Sequence, residues 1–482
     1  MFRVQRRGGT RLSAVLAASS LAAITAIAAA APAQAEDNPG GATAVLGGLV
    51  KSGKAVIHKD GGEDQKLSAG LFSLSGANGG ELTTYCIDIF NPTQAKAEYR
   101  ETPWDESSLH DNENAGKILW ILQNSYPQKS DLAQLSKDAG IDGTISEDEA
   151  AAGTQVAIWR FSDNVNVEAD DAKAEKLADY LETNAKALEE PKPSLSLSPS
   201  AVSGKAGEKL GPIKVATSAG QVNVALNPGA PAGVKVVNKD GQAMSTAKDG
   251  EDLYVDVPAD AEAGEAGLTV KGSTVIPIGR VFTGFGKSEG SQTQILAGSS
   301  EASVEAGASV TWTGADTSGP APAISTKNNC AEGGVDITVA NEGDKEFVFE
   351  LAGKKYEIGA GKTETVLFPV EEDQAYEIKI AMPDGSEKVF TGMLDCKTDS
   401  TNGGATGGSE PSNAPSPASV GGSEGTDTTG TSGSTGNTEG DLAETGSSSS
   451  TPVIAGVAVA LLVVGGATVF FVRRRKAGTP AA

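Results

Sequence analysis

Hydrophobic and polar residues alternate along two long parts of the chain, which is the pattern of half-buried β-strands. Short alternating runs separated by turn residues are typical of immunoglobulin-like β-sandwiches. We therefore predict two β-sandwich domains, at 194–313 and 324–397. Their strand candidates lie at 213–216, 222–226, 234–237 and 253–257 in the first, and at 335–339, 347–349, 356–358, 365–367 and 376–380 in the second.

The preceding part, 40–190, mixes strand and helix periodicity and predicts an α+β domain. Ser146 and Glu149 form an S-x-x-E capping box, which marks the start of a helix. Gln155 and Trp159 share one face of that helix. A Gln aligned with large apolar side chains is expected to be at least partly buried, where its amide needs a hydrogen-bond partner.

Long apolar runs at both ends of the chain predict targeting segments. Residues 1–35 combine a basic start, an apolar run and Ala33-Gln34-Ala35, which is the pattern of a secretory signal peptide. Residues 452–472 are uncharged and apolar, and they are long enough to cross a bilayer as a helix. The Ser/Thr/Gly-rich segment 398–441 carries too few apolar residues to fold and predicts a disordered linker.

A pentapeptide, Leu442-Ala443-Glu444-Thr445-Gly446, precedes the apolar stretch, and the basic residues 473–476 follow it. This order, which makes up 442–482, resembles the cell-wall sorting signal of Gram-positive surface proteins, with Ala443 where the family usually has Pro. The resemblance implies that a sortase cleaves after Thr445 and joins it to peptidoglycan. The precursor would then span the plasma membrane at 452–472, and the product would be anchored to the cell wall. A plain single-span membrane protein is the alternative.

Charge and composition exclude several classes of function. The 482 residues include 39 Lys and Arg against 63 Asp and Glu, a formal net charge of −24. A nucleic-acid binder needs a basic face, so we expect no nucleic-acid partner. With only two His and three Cys, the chain lacks the ligands for a zinc cage. We expect neither a metal nor a cofactor.

The three cysteines divide into a pair and a single residue. Cys330 and Cys396 bracket the last predicted domain, and in an exported protein this placement predicts a disulfide between them. The alternative pairings involve Cys86. If Cys86 is left single, it is a buried small hydrophobic residue, an intermolecular linker or a functional thiol. It lies in Thr84–Ile89, which alternates like a half-buried strand.

Tyr85-Cys86-Ile87-Asp88, followed downstream by Thr154-Gln155-Val156-Ala157-Ile158-Trp159, resembles the thioester (TQXA) domain of Gram-positive surface adhesins. The resemblance covers roughly residues 42–190. It implies a thioester between Cys86 Sγ and Gln155 Cδ, formed with loss of ammonia, that captures a Lys amine on a target surface. Such a protein acts once and is not an enzyme. Thr293-Gln294-Ile295-Leu296 echoes the second motif, but no Cys is near it in sequence, and we interpret it as a strand.

Other functions remain as alternatives. The chain would be a passive wall-anchored spacer or matrix protein if its β-domains bound partners without covalent chemistry. A Cys–His hydrolase would use His110 or His58 as its base, but no cysteine-protease signature surrounds Cys86. The segment 138–149 resembles a calcium-binding EF-hand loop, but Gly140 replaces the acidic third ligand, which favours a simple turn before the helix.

Overall fold

The computed structural model describes residues 40–59, 62–77 and 79–397, which we treat as a first region (40–190), a second region (191–313) and a third region (314–397). The predicted signal peptide, linker, sorting pentapeptide and apolar stretch all lie outside the described residues. Within the described part of the chain, no helix is long and apolar enough to cross a membrane.

The first region combines a curved sheet with a layer of helices, as expected for an α+β domain. Its helices bury their apolar faces against one side of the sheet, where they form a continuous hydrophobic core. The elements are β1 (Thr43–Ile57), β2 (Gln65–Gly76), β3 (Glu81–Cys86), β4 (Glu98–Thr102), a 3₁₀ turn (Trp104–Glu106), α1 (Ala115–Asn124), α2 (Leu132–Asp138), α3 (Glu147–Ser162), β5 (Val167–Ala169) and α4 (Ala172–Asn184).

The second region is almost entirely β-structure. Two of its sheets, with four and five strands, share one apolar core. The elements are β6 (Leu195–Ser198), β7 (Ala201–Lys205), β8 (Lys209–Thr217), β9 (Val222–Leu226), β10 (Lys235–Val237), β11 (Thr246–Ala247), β12 (Asp252–Asp256), β13 (Gly264–Val275), β14 (Val281–Gly284), a 3₁₀ turn (Gly286–Ser288), β15 (Gln294–Ser299) and β16 (Glu301–Thr313).

Strands β14 and β15 do not join the sheets of the second region. They insert between β3 and β4, giving the order β2-β3-β15-β14-β4-β1, and β1 also pairs with β2. The six strands therefore form a closed barrel, and β5 is added at the far end of β1. The predicted boundary at 190 is thus wrong for this sheet, because the barrel takes two strands from the segment assigned to a separate sandwich at 194–313.

The inserted strands are buried on both faces, which explains their position. Phe282 and Leu296 point to one core, and Val281 and Ile295 point to the other, all without exposed surface. Without these strands, β3 and β4 would each present an unpaired edge to solvent. The barrel is therefore complete only when residues 281–299 are in place.

A buried ion pair joins the two regions where the chain crosses between them. Arg280 Nε contacts Glu101 Oε1 at 2.7 Å, and both side chains are almost fully buried. The Glu101 carboxylate also accepts hydrogen bonds from the backbone N–H groups of Ala42 and Ser194, at 3.2 and 3.0 Å. Removal of one partner from such a pair leaves an uncompensated charge and costs about 3–5 kcal/mol. This cluster fixes the start of the barrel against the start of the second region.

The third region consists of one three-stranded sheet and two hairpins around a small core of its own. A disulfide joins Cys330, just after the first strand, to Cys396, just after the last. The region contacts the first region through Lys327, whose Nζ lies 2.7 Å from Asp105 Oδ2. The strands are β17 (Pro322–Asn329), β18 (Gly334–Asn341), β19 (Phe347–Leu351), β20 (Lys354–Ile358), β21 (Lys362–Pro369), β22 (Gln374–Ala381) and β23 (Glu387–Leu394).

The closed barrel predicts that a fragment of residues 40–190 will not fold, whereas 40–313 will. The shorter fragment lacks β14 and β15 and exposes the apolar surface that they cover. We expect it to show no cooperative unfolding transition and the longer fragment to show one, measured by circular dichroism during heating. A sharp transition in the shorter fragment, near the temperature of the longer one, would show that the barrel closes without the inserted strands.

Candidate functional site

Cys86 is the last residue of β3 and is completely buried. Its register partner in the barrel is Gln294 of β15, and the next residue, Ile87, still donates its N–H to Thr293 O at 3.1 Å. The strand end therefore remains held to β15 while the chain turns away from the barrel. This fixes the Cys86 side chain beneath the helix layer.

Helix α3 brings the second residue of the motif to Cys86. The predicted capping box is confirmed: Ser146 Oγ accepts from Glu149 N at 3.2 Å, and Glu149 Oε2 accepts from Ser146 N at 2.6 Å. Gly153 allows the neighbouring helix α4 to approach closely, because a Cβ at this position would lie 2.4 Å from Ala174 O. The helix is buried from residue 150 to residue 159, which makes it the central element of this layer.

The side-chain amide of Gln155 rests directly on the backbone of Cys86. Gln155 Oε1 accepts a hydrogen bond from Cys86 N at 2.9 Å, and Gln155 Nε2 donates one to Cys86 O at 2.8 Å. Both residues are fully buried. The structure thus brings together the two residues that the sequence predicts as a pair, although they are 69 positions apart.

The sulfur of Cys86 lies within reach of two hydrogen-bond donors. Trp159 Nε1, one helical turn after Gln155, is 3.3 Å from Sγ, and the backbone N of Asp88 is 3.2 Å from it. Donors directed at a sulfur stabilise negative charge on it. The site can therefore support a sulfur that gains charge during a reaction.

Two buried carboxyl groups flank this sulfur. Burial is the main reason that the pKa of Asp88 rises to about 6 and that of Asp163 to about 7. Asp163 lies just after α3, where its Oδ1 accepts from Ile89 N at 2.9 Å and its Oδ2 accepts from Ser162 Oγ at 2.6 Å. Burial, followed by the charges of Asp163 and Asp88, raises the pKa of the Cys86 thiol well above its usual value.

Sequence reasoning did not identify Asp163, and it assigned no role to Asp88. The signal for Asp163 was weak, because a single Asp after a helix most often serves as a solvated cap. Its importance depends on Cys86 and Asp88, which lie more than 70 residues away in sequence. Only the fold shows that three ionisable groups are buried in the same part of the molecule.

The two histidines are placed elsewhere. His58 lies at the far end of β1, with its ring nitrogens 3.2 Å from Asp64 and 3.5 Å from Glu168. The ring of His110 contacts Ser107 O and Asp111. Within the described residues, neither ring makes a hydrogen bond to Cys86.

The structure presents a second glutamine beside Cys86. Gln294 belongs to the Thr293-Gln294 pair that echoes the motif on α3, and β-pairing places it opposite Cys86 despite its distance in sequence. Its Oε1 accepts from Thr84 Oγ1 at 2.9 Å, and its Nε2 is 3.3 Å from Gln292 O. These contacts direct its amide along the barrel, whereas the Gln155 amide bonds to Cys86 itself.

The acidic residues of 138–149 are not gathered around a common point. Within the described residues, the three carboxyl groups close enough to share a cation are those of Glu372, Asp373 and Asp395, in the third region. In 138–149 the chain instead makes a turn closed by Ile145 N donating to Ser136 Oγ at 2.9 Å.

Comparison with known proteins identifies the class of this site. Residues 83–187 match the family model described as "Thioester domain", a range that includes both Cys86 and Gln155. The chain therefore contains a thioester domain, and the remainder of the described chain is largely β-structure in several sheets. The barrel strands β14 and β15 lie outside the matched range. No curated protein matches the chain.

Three solved structures with related titles are similar to the chain. The Bacillus anthracis TIE protein is 15% identical, with a TM-score of 0.26, over 74% of this chain and 81% of that chain. The thioester domain of the Enterococcus faecium TIE86 protein is 16% identical, with a TM-score of 0.26, over 56% and 96%. The N-terminal thioester domain of a Clostridium perfringens surface protein is 18% identical, with a TM-score of 0.20, over 30% and 89%.

The raised pKa of Asp163 predicts an unusual pH dependence of stability. A carboxyl group whose pKa is higher in the folded state favours folding when it is protonated, so stability rises as the pH falls from about 7 toward about 5. We expect Asp163→Asn to reduce this slope by about 1 kcal/mol per pH unit, measured by urea unfolding at several pH values.

Asp111→Asn is the matched control, because the Asp111 side chain is largely exposed. This variant should keep the wild-type slope. An unchanged slope in Asp163→Asn would mean that the Asp163 carboxyl group is ionised in the folded protein at pH 5.

Proposed function

We propose that this protein is an exported, cell-wall-anchored adhesin that captures amines covalently through a thioester between Cys86 and Gln155. The observation that carries the proposal is the hydrogen-bonded contact between the Gln155 amide and the Cys86 backbone inside a buried core. Neither motif alone would distinguish a reactive pair from an ordinary buried Cys and an ordinary helix Gln. The contact supports a shared function for the two residues.

The geometry supports formation of the bond without a cofactor. The thiol of Cys86 adds to Gln155 Cδ, the carbon–nitrogen bond breaks, and the amide nitrogen leaves as ammonia with the thiol proton. The N–H of Cys86 donates to Gln155 Oε1 and stabilises the charge that develops on this oxygen. Fixed positions of the two reacting groups lower the barrier further, because little orientational freedom is left to lose.

Capture of a target breaks the bond between Cys86 and Gln155 that the first reaction forms. A Lys amine attacks Gln155 Cδ, the bond to Cys86 Sγ breaks, and an amide forms between Gln155 and the target. Negative charge then develops on the sulfur, where the N–H groups of Trp159 and Asp88 stabilise it. The released thiol ends the reaction, so each molecule acts once and is not an enzyme.

Burial supports storage of the activated acyl group. Tyr85, Ile87, Ile158 and Trp159 surround the pair and have almost no exposed surface. Their side chains exclude bulk water, which would otherwise hydrolyse a thioester. A target amine must therefore enter through a local opening of this enclosure.

The rest of the chain supports attachment at a cell surface. We propose that a sortase joins Thr445 of the pentapeptide 442–446 to peptidoglycan and that the β-rich second and third regions act as a spacer. The net charge of −24 favours targets that present exposed Lys residues. The amine-bearing target belongs to a protein or surface that we define only by this chemistry.

Intact mass spectrometry tests the proposed bond directly. We expect the purified chain to be lighter than its sequence mass by one ammonia and to gain one methylamine when that amine is added. Cys86→Ala and Gln155→Ala should each abolish the deficit, because each removes one side of the bond.

Gln294→Ala is the matched control, because Gln294 also lies beside Cys86. This variant should keep the deficit. Loss of the deficit in Gln294→Ala but not in Gln155→Ala would show that the bond involves Gln294 and not Gln155. A full-mass protein in which Cys86 alkylates freely, after hydrolysis has been excluded, would favour the passive spacer.

The Trp159 N–H predicts a specific effect on the capture rate. Trp159→Phe keeps an aromatic ring but removes the donor to Sγ, so the leaving sulfur is less well stabilised. A hydrogen bond to a charged group contributes about 1.5–3 kcal/mol, and we expect methylamine capture to slow by about tenfold or more. The time course of the adduct in intact mass spectra measures this rate.

Trp104→Phe provides the matched control for this variant. Trp104 Nε1 donates to Gly279 O at 2.9 Å, so this substitution also removes a buried indole hydrogen bond but leaves the sulfur untouched. We expect lower stability with an unchanged capture rate. Equal slowing in both variants would attribute the effect to loss of stability.

A further inference from the structure

One oxygen of the Asp88 carboxyl group is buried without a hydrogen-bond partner. Asp88 is about 1% exposed, and its Oδ2 accepts from Asn91 Nδ2 at 2.7 Å. Its Oδ1 receives no hydrogen bond of normal geometry from the described residues. An unsatisfied carboxyl oxygen in an apolar enclosure is costly, and such atoms call for an explanation.

The position of Asp88 is fixed on both sides by the fold. Its backbone N contacts Cys86 Sγ at 3.2 Å, which places the residue beside the reacting sulfur. Gln292, in the connection between β14 and β15, donates from Nε2 to Asp88 O and Asn91 O, both at 2.9 Å. The loop is thus held in one conformation, and its free carboxyl oxygen is held with it.

We propose that Asp88 is the proton carrier of the thioester reaction: its Oδ1 takes a proton from the attacking amine and returns it to the sulfur of Cys86. The inference rests on the function proposed above and names the residue that completes its chemistry. A neutral amine must lose one proton as it becomes an amide nitrogen, and the departing sulfur must gain one to become a thiol. Asp88 begins and ends the reaction ionised, so the atoms and charges balance.

The same carrier serves formation of the bond. The thiol of Cys86 gives up a proton when it attacks Gln155, and the departing amide nitrogen takes up one to leave as ammonia. A buried thiol whose pKa lies well above its usual value does not ionise by itself at neutral pH. A nearby base that accepts this proton lowers the barrier, an effect that typically amounts to about 10²–10⁴-fold in rate.

Asp163 is the other buried carboxyl group near the sulfur, and its contacts argue against the same role. Both of its oxygens already accept hydrogen bonds, from Ile89 N and Ser162 Oγ. These bonds fix the loop after Cys86 to the end of α3. Of the two residues, Asp88 has an oxygen without a hydrogen bond of normal geometry, and its backbone N–H contacts Sγ.

The surroundings of Asp88 set its protonation near neutral pH. Burial raises its pKa to about 6, whereas Asn91 and the nearby backbone N–H groups of Thr293 and Asn91 lower it. The carboxyl group is therefore mostly ionised at pH 7 and poised to accept a proton. The ionisable groups that face it are Cys86 on β3, Tyr99 on β4, Asp163 after α3, and Asp373 and Asp395 in the third region.

The test measures the capture rate against pH with methoxyamine, an amine that stays neutral between about pH 5.5 and about pH 8. The amine then contributes no titration of its own, so any change in rate reports on the protein. Full-length wild-type chain should capture it faster as the pH rises through about 6 and reach a plateau above that. A flat wild-type profile overturns the proposal without recourse to any variant.

Variants then assign the step to one residue. Asp88→Asn keeps the shape of the side chain but cannot carry the proton. We expect it to slow capture at pH 7.5 by at least about 10²-fold, with a flat profile, and Asp88→Glu to restore part of the rate. Asp163→Asn should keep the rise in capture rate near pH 6, and Asp111→Asn should match the wild type at every pH. The proposal is overturned if Asp88→Asn captures the amine at the wild-type rate. It is also overturned if the rise in capture rate with pH is lost only in Asp163→Asn.

The mass deficit separates this proposal from the one on which it rests. A wild-type chain without the deficit refutes the thioester itself, whatever the role of Asp88. If Asp88→Asn lacks the deficit while unfolding at the wild-type temperature, the result supports the proposal, because formation needs the same proton transfer. If Asp88→Asn does not fold, the pH profile of the wild-type chain tests the proposal by itself.

Discussion

Two hydrogen bonds between the Gln155 amide and the Cys86 backbone are the contact on which the rest of the site depends. They orient the carbonyl group of Gln155 against a backbone N–H and hold the amide on the backbone of Cys86. Because both partners are buried, no water competes for these bonds. The barrel fixes Cys86, and the capped helix α3 fixes Gln155. The contact between the two residues forms only when both elements are in place.

Burial is the property on which the proposed chemistry of this site depends. The absence of solvent strengthens the N–H contacts to the sulfur and raises the pKa values of Cys86, Asp88 and Asp163 together. A thiol with such a pKa is a poor nucleophile until a base accepts its proton. In the function that we propose, the same burial keeps water away from the acyl group. In that proposal, storage and release both depend on burial and differ in where a single proton lies.

Local patterns in the sequence were enough to predict that Cys86 and Gln155 belong together and that a helix begins after Ser146. Ser146 and Glu149 form the predicted cap, and strands β18 to β22 contain the five alternating runs predicted for the third region. The position of β14 and β15 was beyond such reasoning, because strand pairing is decided by partners about 200 residues away. For the same reason the Thr293-Gln294 echo looked isolated from any Cys, and the carboxyl group of Asp163 had no visible connection to the site.

Closure of the barrel by a distant segment also affects the order of events during synthesis. The chain is synthesised from its N-terminus, so β15 becomes available for pairing only after α3. Until then Cys86 has no strand on its open side, and the enclosure over the pair is unfinished. The order of the elements along the chain therefore leaves the barrel open beside Cys86 until residues 294–299 are present.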